Sequence, residues 1–297
     1  MSPVFYVKRM NFYNYYRSIL MASIICIGGW IPVAKAENAV TQDNSTIIGE
    51  VGLAASDKSW KSLIPNELGV GSNVYAETLH GEPLMKLKGS ELTFRWSSDV
   101  DNESDQEWPW LIEYQVGQQN YRSDYSGSLN AVPNVQTRWQ LNHNLAWAKF
   151  DSLQWQAGTA LHTTWNDLRG RTSLNQAGYL RTNVSLWLPI GLVQTNPDAQ
   201  DATVTWKSMR YEVGVLLRGL QTSHLSQVSK VLPDVTNTQN RGYYVEWSGV
   251  VQAQPGWVLR PYVRRTYVSD SDLVYKYGAS YMEPKNVRTQ LGVLFTF

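Results

Sequence analysis

The segment Val135–Ala148, "VQTRWQLNHNLAWA", alternates in chemical character along its length. Its odd positions are Val135, Thr137, Trp139, Leu141, His143, Leu145 and Trp147; its even positions begin Gln136, Arg138, Gln140, Asn142 and Asn144. A period of two marks an extended strand whose two faces meet different media. After "KFDS" the scheme resumes. Leu153, Trp155, Ala157, Thr159, Leu161, Thr163 and Trp165 share one face, and Gln154, Gln156 and His162 the other.

Three further windows agree. Residues 178–188 set Leu180, Val184, Leu186 and Leu188 against Tyr179, Arg181 and Asn183. Residues 209–218 set Met209, Tyr211, Val213, Val215 and Leu217 against Arg210, Glu212 and Arg218. Residues 243–252 set Tyr243, Val245, Trp247 and Val251 against Tyr244, Glu246 and Gln252. No long window after residue 37 carries a sustained helical stripe. These strands exceed the five or six residues usual in soluble sheets, and their aromatics gather near the ends of each apolar face. That is the pattern of a transmembrane barrel with aromatic girdles. A soluble β-sandwich would also alternate, but with its charged face outward. Twelve tryptophans outside the N-terminal segment are too many for such a core. The fold class expected is therefore all-β, a transmembrane antiparallel up-and-down barrel.

The first 36 residues stand apart. Lys8, Arg9 and Arg17 precede the apolar run "SILMASIICIGGWIPV", then "AKA" with Ala34 and Ala36, and no acidic residue occurs before Glu37. This layout predicts a secretory signal peptide over 1–36 and a barrel over 37–297, with Met1, Met10 and Met21 all open as the start. Gly28, Gly29 and Pro32 interrupt the run, which falls short of the roughly 20 apolar residues of a spanning helix. The segment takes four of the 26 Lys and Arg with it, leaving 22 against 25 Asp and Glu. A mature chain near −3 does not suit nucleic acid. Cys26, the only cysteine, leaves too, which excludes a disulfide framework or zinc thiolates.

Counting back from the C-terminus, strands are expected at 287–297, 257–267, 241–253, 203–219, 178–190, 152–165, 134–148, 109–119, 90–98 and 46–55. That makes ten, with both ends on the periplasmic side and 57–89 as one long outer loop. If "SNVYAETLHG" and "EPLMKLKG" form another hairpin, the count is twelve; eight fits least well.

The chain ends "QLGVLFTF". Gln290, Gly292, Phe295 and Phe297 in this spacing resemble the C-terminal assembly signal of Gram-negative outer-membrane β-barrels. The resemblance implies residence in the cell outer membrane and contact with outer-membrane lipid and lipopolysaccharide. It also implies export by the secretion translocon and insertion by the barrel-assembly machinery. It names no activity.

Chemistry is sparse. The charged face carries Arg95, Arg138, Arg181, Arg210, Arg218, Arg260, Arg264 and Arg288 against Glu50, Glu113, Glu212 and Glu246. Such an excess can line a small anion-preferring pore. In a narrow ten-stranded barrel it more readily forms a hydrogen-bonded plug, leaving a structural, adhesive or envelope role. A third reading is a lipid or lipopolysaccharide hydrolase. His224 and Ser226 resemble the His–x–Ser element of lipid A 3-O-deacylases, but they fall in an expected outer loop, where only Asp234 could fold back to orient the histidine. The motifs of the phospholipase A and omptin barrels are missing. Asp99, Asp101, Glu103 and Asp105 sit at calcium-loop positions, yet Ser104 replaces the glycine and Trp110 the final glutamate, so a solvated turn is the better account. His143 shares the lipid-facing parity, His162 points inward and His80 lies in the first loop; none has ligand spacing. No metal or cofactor is expected.

Overall fold

The computed structural model describes residues 64–98, 107–150, 152–196, 205–254 and 257–296. The signal peptide expected over 1–36, the expected strand at 46–55 with Glu50, the acidic run 99–105 and Phe297 lie outside the described residues. Among the described residues there are thirteen strands: β1 (Glu67–Leu79), β2 (Glu82–Ser97), β3 (Trp110–Ser123), β4 (Gly127–Phe150), β5 (Leu153–Asp167), β6 (Leu180–Thr195), β7 (Thr205–Ser223), β8 (Val235–Gln239), β9 (Gly242–Gln254), β10 (Trp257–Val268), β11 (Val274–Lys276), β12 (Ala279–Tyr281) and β13 (Lys285–Thr296).

Neighbouring strands pair antiparallel, and β13 returns to β1 in an unbroken register from Glu67↔Thr296 to Thr78↔Lys285. β8 and β9 run end to end along β7, which pairs with β9 through Val215 and with β8 from Gly219. The result is a closed ten-stranded barrel. β11 and β12 form a small separate hairpin in the connection between β10 and β13. One register row runs Thr296–Glu67–Arg95–Glu113–Arg138–His162–Ser185–Gly219. It begins at the very ends of β13 and β1 and arrives near the far end of β7, so the strands are steeply tilted, as closure requires. Below, the end where Glu67 meets Thr296 is the terminal end and the opposite one the loop end.

The first strand differs from expectation. The stretch 57–89, read as one outer loop, contains β1 and the upper half of β2, joined by a tight turn at His80 and Gly81. Both turn residues have positive φ, 53° and 93°, as a two-residue hairpin turn demands. With the hairpin the count stays at ten, because "EPLMKLKG" continues the strand expected at 90–98 and β1 takes the place expected for 46–55, pairing with β13. Two features hid it. Gly69, Gly71, Ser72 and Asn73 dilute the alternation of β1, and Lys86 and Lys88 put charge on the outward face of β2. Likewise most of "RSDYSGSLNAVPN", read as a loop, belongs to β3 and β4, leaving a turn at Asp124–Ser126.

Burial runs opposite to that of a soluble protein. Along β7, Tyr211, Val213, Val215 and Leu217 are exposed while Glu212, Gly214 and Leu216 are enclosed. Leu291 is 60% exposed and Glu67 fully covered. A belt of this size would be an aggregation surface in water; facing hydrocarbon, it is solvated. On that face Val135 is buried between its register partners Val116 and Trp165, and Gly249 is covered by Trp206.

Inside, two tyrosines lie over glycines of the facing strand. A Cβ on Gly214 would come within 2.0 Å of the Tyr244 ring, and one on Gly292 within 2.7 Å of Tyr262. In each pair the glycine and the tyrosine are direct register partners. The glycine of the C-terminal "QLGVLFTF" therefore has a packing reason: only a residue without a side chain leaves room for the ring.

Val213 projects from the middle of the outward face of β7. Val213→Arg is expected to lower stability by about 2–4 kcal/mol in a denaturant titration of the barrel refolded into bilayers, the cost of a cation at mid-depth.

Candidate functional site

Glu67, Arg95, Glu113 and Arg138 occupy successive strands of one register row, with alternating sign. On the opposite wall Arg264, Glu246 and Glu212 form a second row. That row places two carboxylates, Glu246 and Glu212, directly side by side, an arrangement that repels itself unless a cation serves both. Arg138 does so from across the lumen, pairing with Glu246 through Nη1 and Glu212 through Nη2.

The other links follow the same logic. Arg264 donates from Nε to Glu246 at 2.7 Å and from Nη1 to Glu113 at 3.0 Å. Arg95 pairs with Glu113 and stands 3.5 Å from Glu67, which also accepts from Arg260 Nε at 2.6 Å. Arg210 completes the chain on Glu212, beside donors from Tyr244 (2.6 Å) and Gln140 (2.8 Å). Read in order, Arg260, Glu67, Arg95, Glu113, Arg264, Glu246, Arg138, Glu212 and Arg210 form a continuous alternating ladder that ties β1–β4 to β7, β9 and β10. All are buried except Arg210, which is partly covered.

Two smaller clusters lie toward the loop end. Glu91 accepts from Asn73 at 3.0 Å and Gln290 at 3.1 Å, and connects through Gln136 to Arg288, which stacks on Tyr75. Arg181 holds Glu77, at 2.6 Å, and Glu283.

Arg218 does not belong to the lumen. The β6–β7 register shifts between Leu186 and Trp187, whose partners are Arg218 and Leu216. The extra residue leaves both Leu217 and Arg218 exposed and returns the alternation in opposite phase from Gly219. A bulge of this kind is invisible to a strict period-two reading. Conversely, the lumen also holds Glu67, Glu77, Glu91 and Glu283, which the sequence reading does not name: Glu67 and Glu77 fall in the stretch expected as a loop, whereas Glu91 lies in the strand expected at 90–98, two pleats from Arg95 on the same face. With them, the lumen side holds seven arginines and seven glutamates among the described residues. The positive excess read from the sequence is absent there.

His224, Ser226 and Asp234 meet at the loop end, beside a one-turn 3-10 helix, Leu225–Gln227. Asp234 lies 3.3 Å from His224 Nδ1 and accepts from the Ser226 amide at 3.0 Å. Hydrogen bonds from the Ser226 hydroxyl and amide hold the Asp234 carboxyl below the usual carboxylate range. The other ring nitrogen of His224 is 3.4 Å from the Thr182 hydroxyl. Ser226 thus gives its hydrogen bonds to the carboxylate, and no serine–histidine contact is formed. His143 lies toward the terminal end, against Trp108 and Glu107. His162 is enclosed beside Trp187 and Tyr244.

Spaces remain among the described residues. A polar cavity of about 80 Å³ lies beside the ladder, and one of about 30 Å³ toward the terminal end. The first is the size of a few water molecules. A larger vestibule of about 520 Å³ opens among the loops.

If the ladder holds the walls, Arg138→Gln will destabilise the refolded barrel by about 3–5 kcal/mol, because two adjacent carboxylates lose their shared partner. Arg218→Gln, on the outer surface, should stay within about 0.5 kcal/mol. Paired equilibrium unfolding of the two variants checks both placements.

No protein-family model and no curated protein matches the sequence. Solved structures with a likeness to this chain include the outer membrane protease OmpT from Escherichia coli. It is 10% identical, with 78% of this chain and 97% of that chain covered and a TM-score of 0.37. The translocator domain of the autotransporter NalP from Neisseria meningitidis is 11% identical, covering 82% and 93%, with a TM-score of 0.35. An outer membrane channel from Pseudomonas putida F1 is 11% identical, covering 79% and 96%, with a TM-score of 0.35. These values are too low to carry an argument, so the barrel assignment rests on strand closure and the inverted burial.

Proposed function

We propose that this all-β chain is an integral outer-membrane β-barrel with a closed lumen, serving a structural, adhesive or envelope-maintaining role through its loop end. The observation that carries this reading is the alternating ladder from Arg260 to Arg210, which spans the lumen, with cavities of about 80 and 30 Å³ beside it among the described residues. A conducting path would have to displace charge-assisted hydrogen bonds between opposite walls.

The anion-pore alternative drew on an excess of arginine, and a balanced set of lumen charges removes that support. The hydrolase alternative needs a serine activated by a base, whereas His224 is turned toward Asp234 and Thr182.

The outward face fits the same setting. Near the loop end of β2 and β3, Lys86 stands directly opposite Arg122, with Lys88 two residues along. Like charges in register repel, and none of the three has an ion-pair partner among the described residues. Phosphate groups of outer-leaflet lipid or lipopolysaccharide are the natural counterpart at that border. In this reading the loop end faces the exterior, and the terminal end, where β13 is handed over by the barrel-assembly machinery, faces the periplasm.

Planar-bilayer recording of the purified barrel tests the proposal. The intact protein is expected to give no discrete conductance steps, and the triple variant Arg138→Ala, Glu212→Ala, Glu246→Ala to give small ones. Regular anion-preferring steps from the unmodified protein would overturn it.

A further inference from the structure

The geometry points to the vestibule at the loop end as a binding site for a small organic cation with an apolar body. This inference is independent of whether the lumen conducts.

The space, about 520 Å³, is the size of a small-molecule pocket. Its charged lining consists of Glu77, Glu283 and Arg181 alone. Arg181 is shared between the two carboxylates, so the floor retains one net negative charge. Tyr75 and Ser223 donate to the same carboxylates, at 2.6 and 2.5 Å, which fixes them in place.

Asn237 supplies a second, independent pointer. It lines the vestibule and is fully buried. Its Nδ2 is spent on the carbonyls of Asp272 and Tyr281, both at 3.1 Å, while its Oδ1 has no partner. A buried acceptor without a donor is costly; closed off as it stands, it would accept from a ligand N–H that shifted the Asp272 and Tyr281 carbonyls from this side chain.

The walls supply the rest. Tyr121, Tyr125, Tyr179 and Tyr281 line the space, and tyrosine faces attract ammonium groups. An apolar cluster built on Met85, Val132 and Leu168, with Leu129 packed against it, extends the lining toward β2 and β4. Net negative charge, an orphaned acceptor and tyrosine faces select a cation; the methionine and leucine wall selects one that carries an alkyl or aryl group. An anion would meet carboxylates whose only cation is already engaged.

The test is isothermal titration of the full barrel, in an uncharged, non-aromatic detergent, with three probes that share a phenylethyl body. These are phenethylammonium, 2-phenylethanol and 3-phenylpropanoate. Phenethylammonium is expected to bind, the alcohol more weakly and the carboxylate not at all. Glu283→Gln should weaken the ammonium about tenfold, a change of one nearby charge, and leave the alcohol unchanged. Heat-dependent gel mobility shows whether each variant has folded. Should Glu283→Gln fail to fold, Tyr125→Ala at the exposed rim is read instead, and a narrowed preference for ammonium over alcohol is expected. Absence of heat from phenethylammonium overturns the inference. So does equal affinity for all three probes, or an unchanged ammonium affinity in the folded variant.

Discussion

Backbone N–H and C=O groups placed in hydrocarbon have no water to bond, so each must find its partner within the chain. For strands this leaves one solution, a sheet whose last edge meets its first. Here that seam is the β1–β13 pairing, and the rest of the structure follows from it. Ten staves fix a narrow bore. Tilt offsets the register so that one row climbs from the start of β1 nearly to the far end of β7. The pleat then sends alternate residues to two media, and each strand must be apolar on one face only.

The inward residues inherit a problem of their own. They are enclosed but polar, and charges enclosed without partners are expensive. The chain meets this by placing opposite charges on neighbouring strands of one row and by letting arginines reach across the bore. Arg138 is central, because Glu212 and Glu246 would otherwise sit side by side. Glycines opposite Tyr244 and Tyr262 make room for rings that fill the remaining width. In the function proposed, a closed bore shifts functional weight to the ends. At the loop end the lining changes from paired charge to tyrosine, methionine and leucine, which suits recognition more than passage.

Much of this was legible in the sequence, because a membrane amplifies the period-two signal. Segments with tryptophan, leucine and valine opposite glutamine and arginine locate β4, β5, β6, β7, β9 and β10, although β4 begins at Gly127 rather than 134 and β8 (Val235–Gln239) lies in a stretch expected as an outer loop. The first strand was not legible. "ELGVGSNVYAETL" alternates, but its outward positions include Ser72 and its inward ones Gly69 and Gly71, so apolar contrast is weak. Losing that strand lost Glu67 and Glu77, and with them the charge balance of the lumen. Arg218 failed for a different reason. One bulge residue reverses the phase of everything beyond it, and no local composition announces that shift. His224 and Ser226 showed a suggestive spacing, but spacing could not say that Asp234 would take the serine's hydrogen bonds. Glu283 comes from a loop that folds back over the mouth, a long-range contact with no periodic trace.

The orientation of the two faces can be measured directly. Outside the N-terminal segment the chain has no cysteine, so single nitroxide labels can be placed in turn at residues 211–218 of the barrel in bilayers. Their relaxation by oxygen, which concentrates in hydrocarbon, is then recorded. High oxygen contact at 211, 213, 215, 217 and 218, with low contact at 212, 214 and 216, is the predicted profile. The inverse phase, or uniform exposure to a water-soluble relaxant, would contradict a barrel with hydrocarbon outside and charge within.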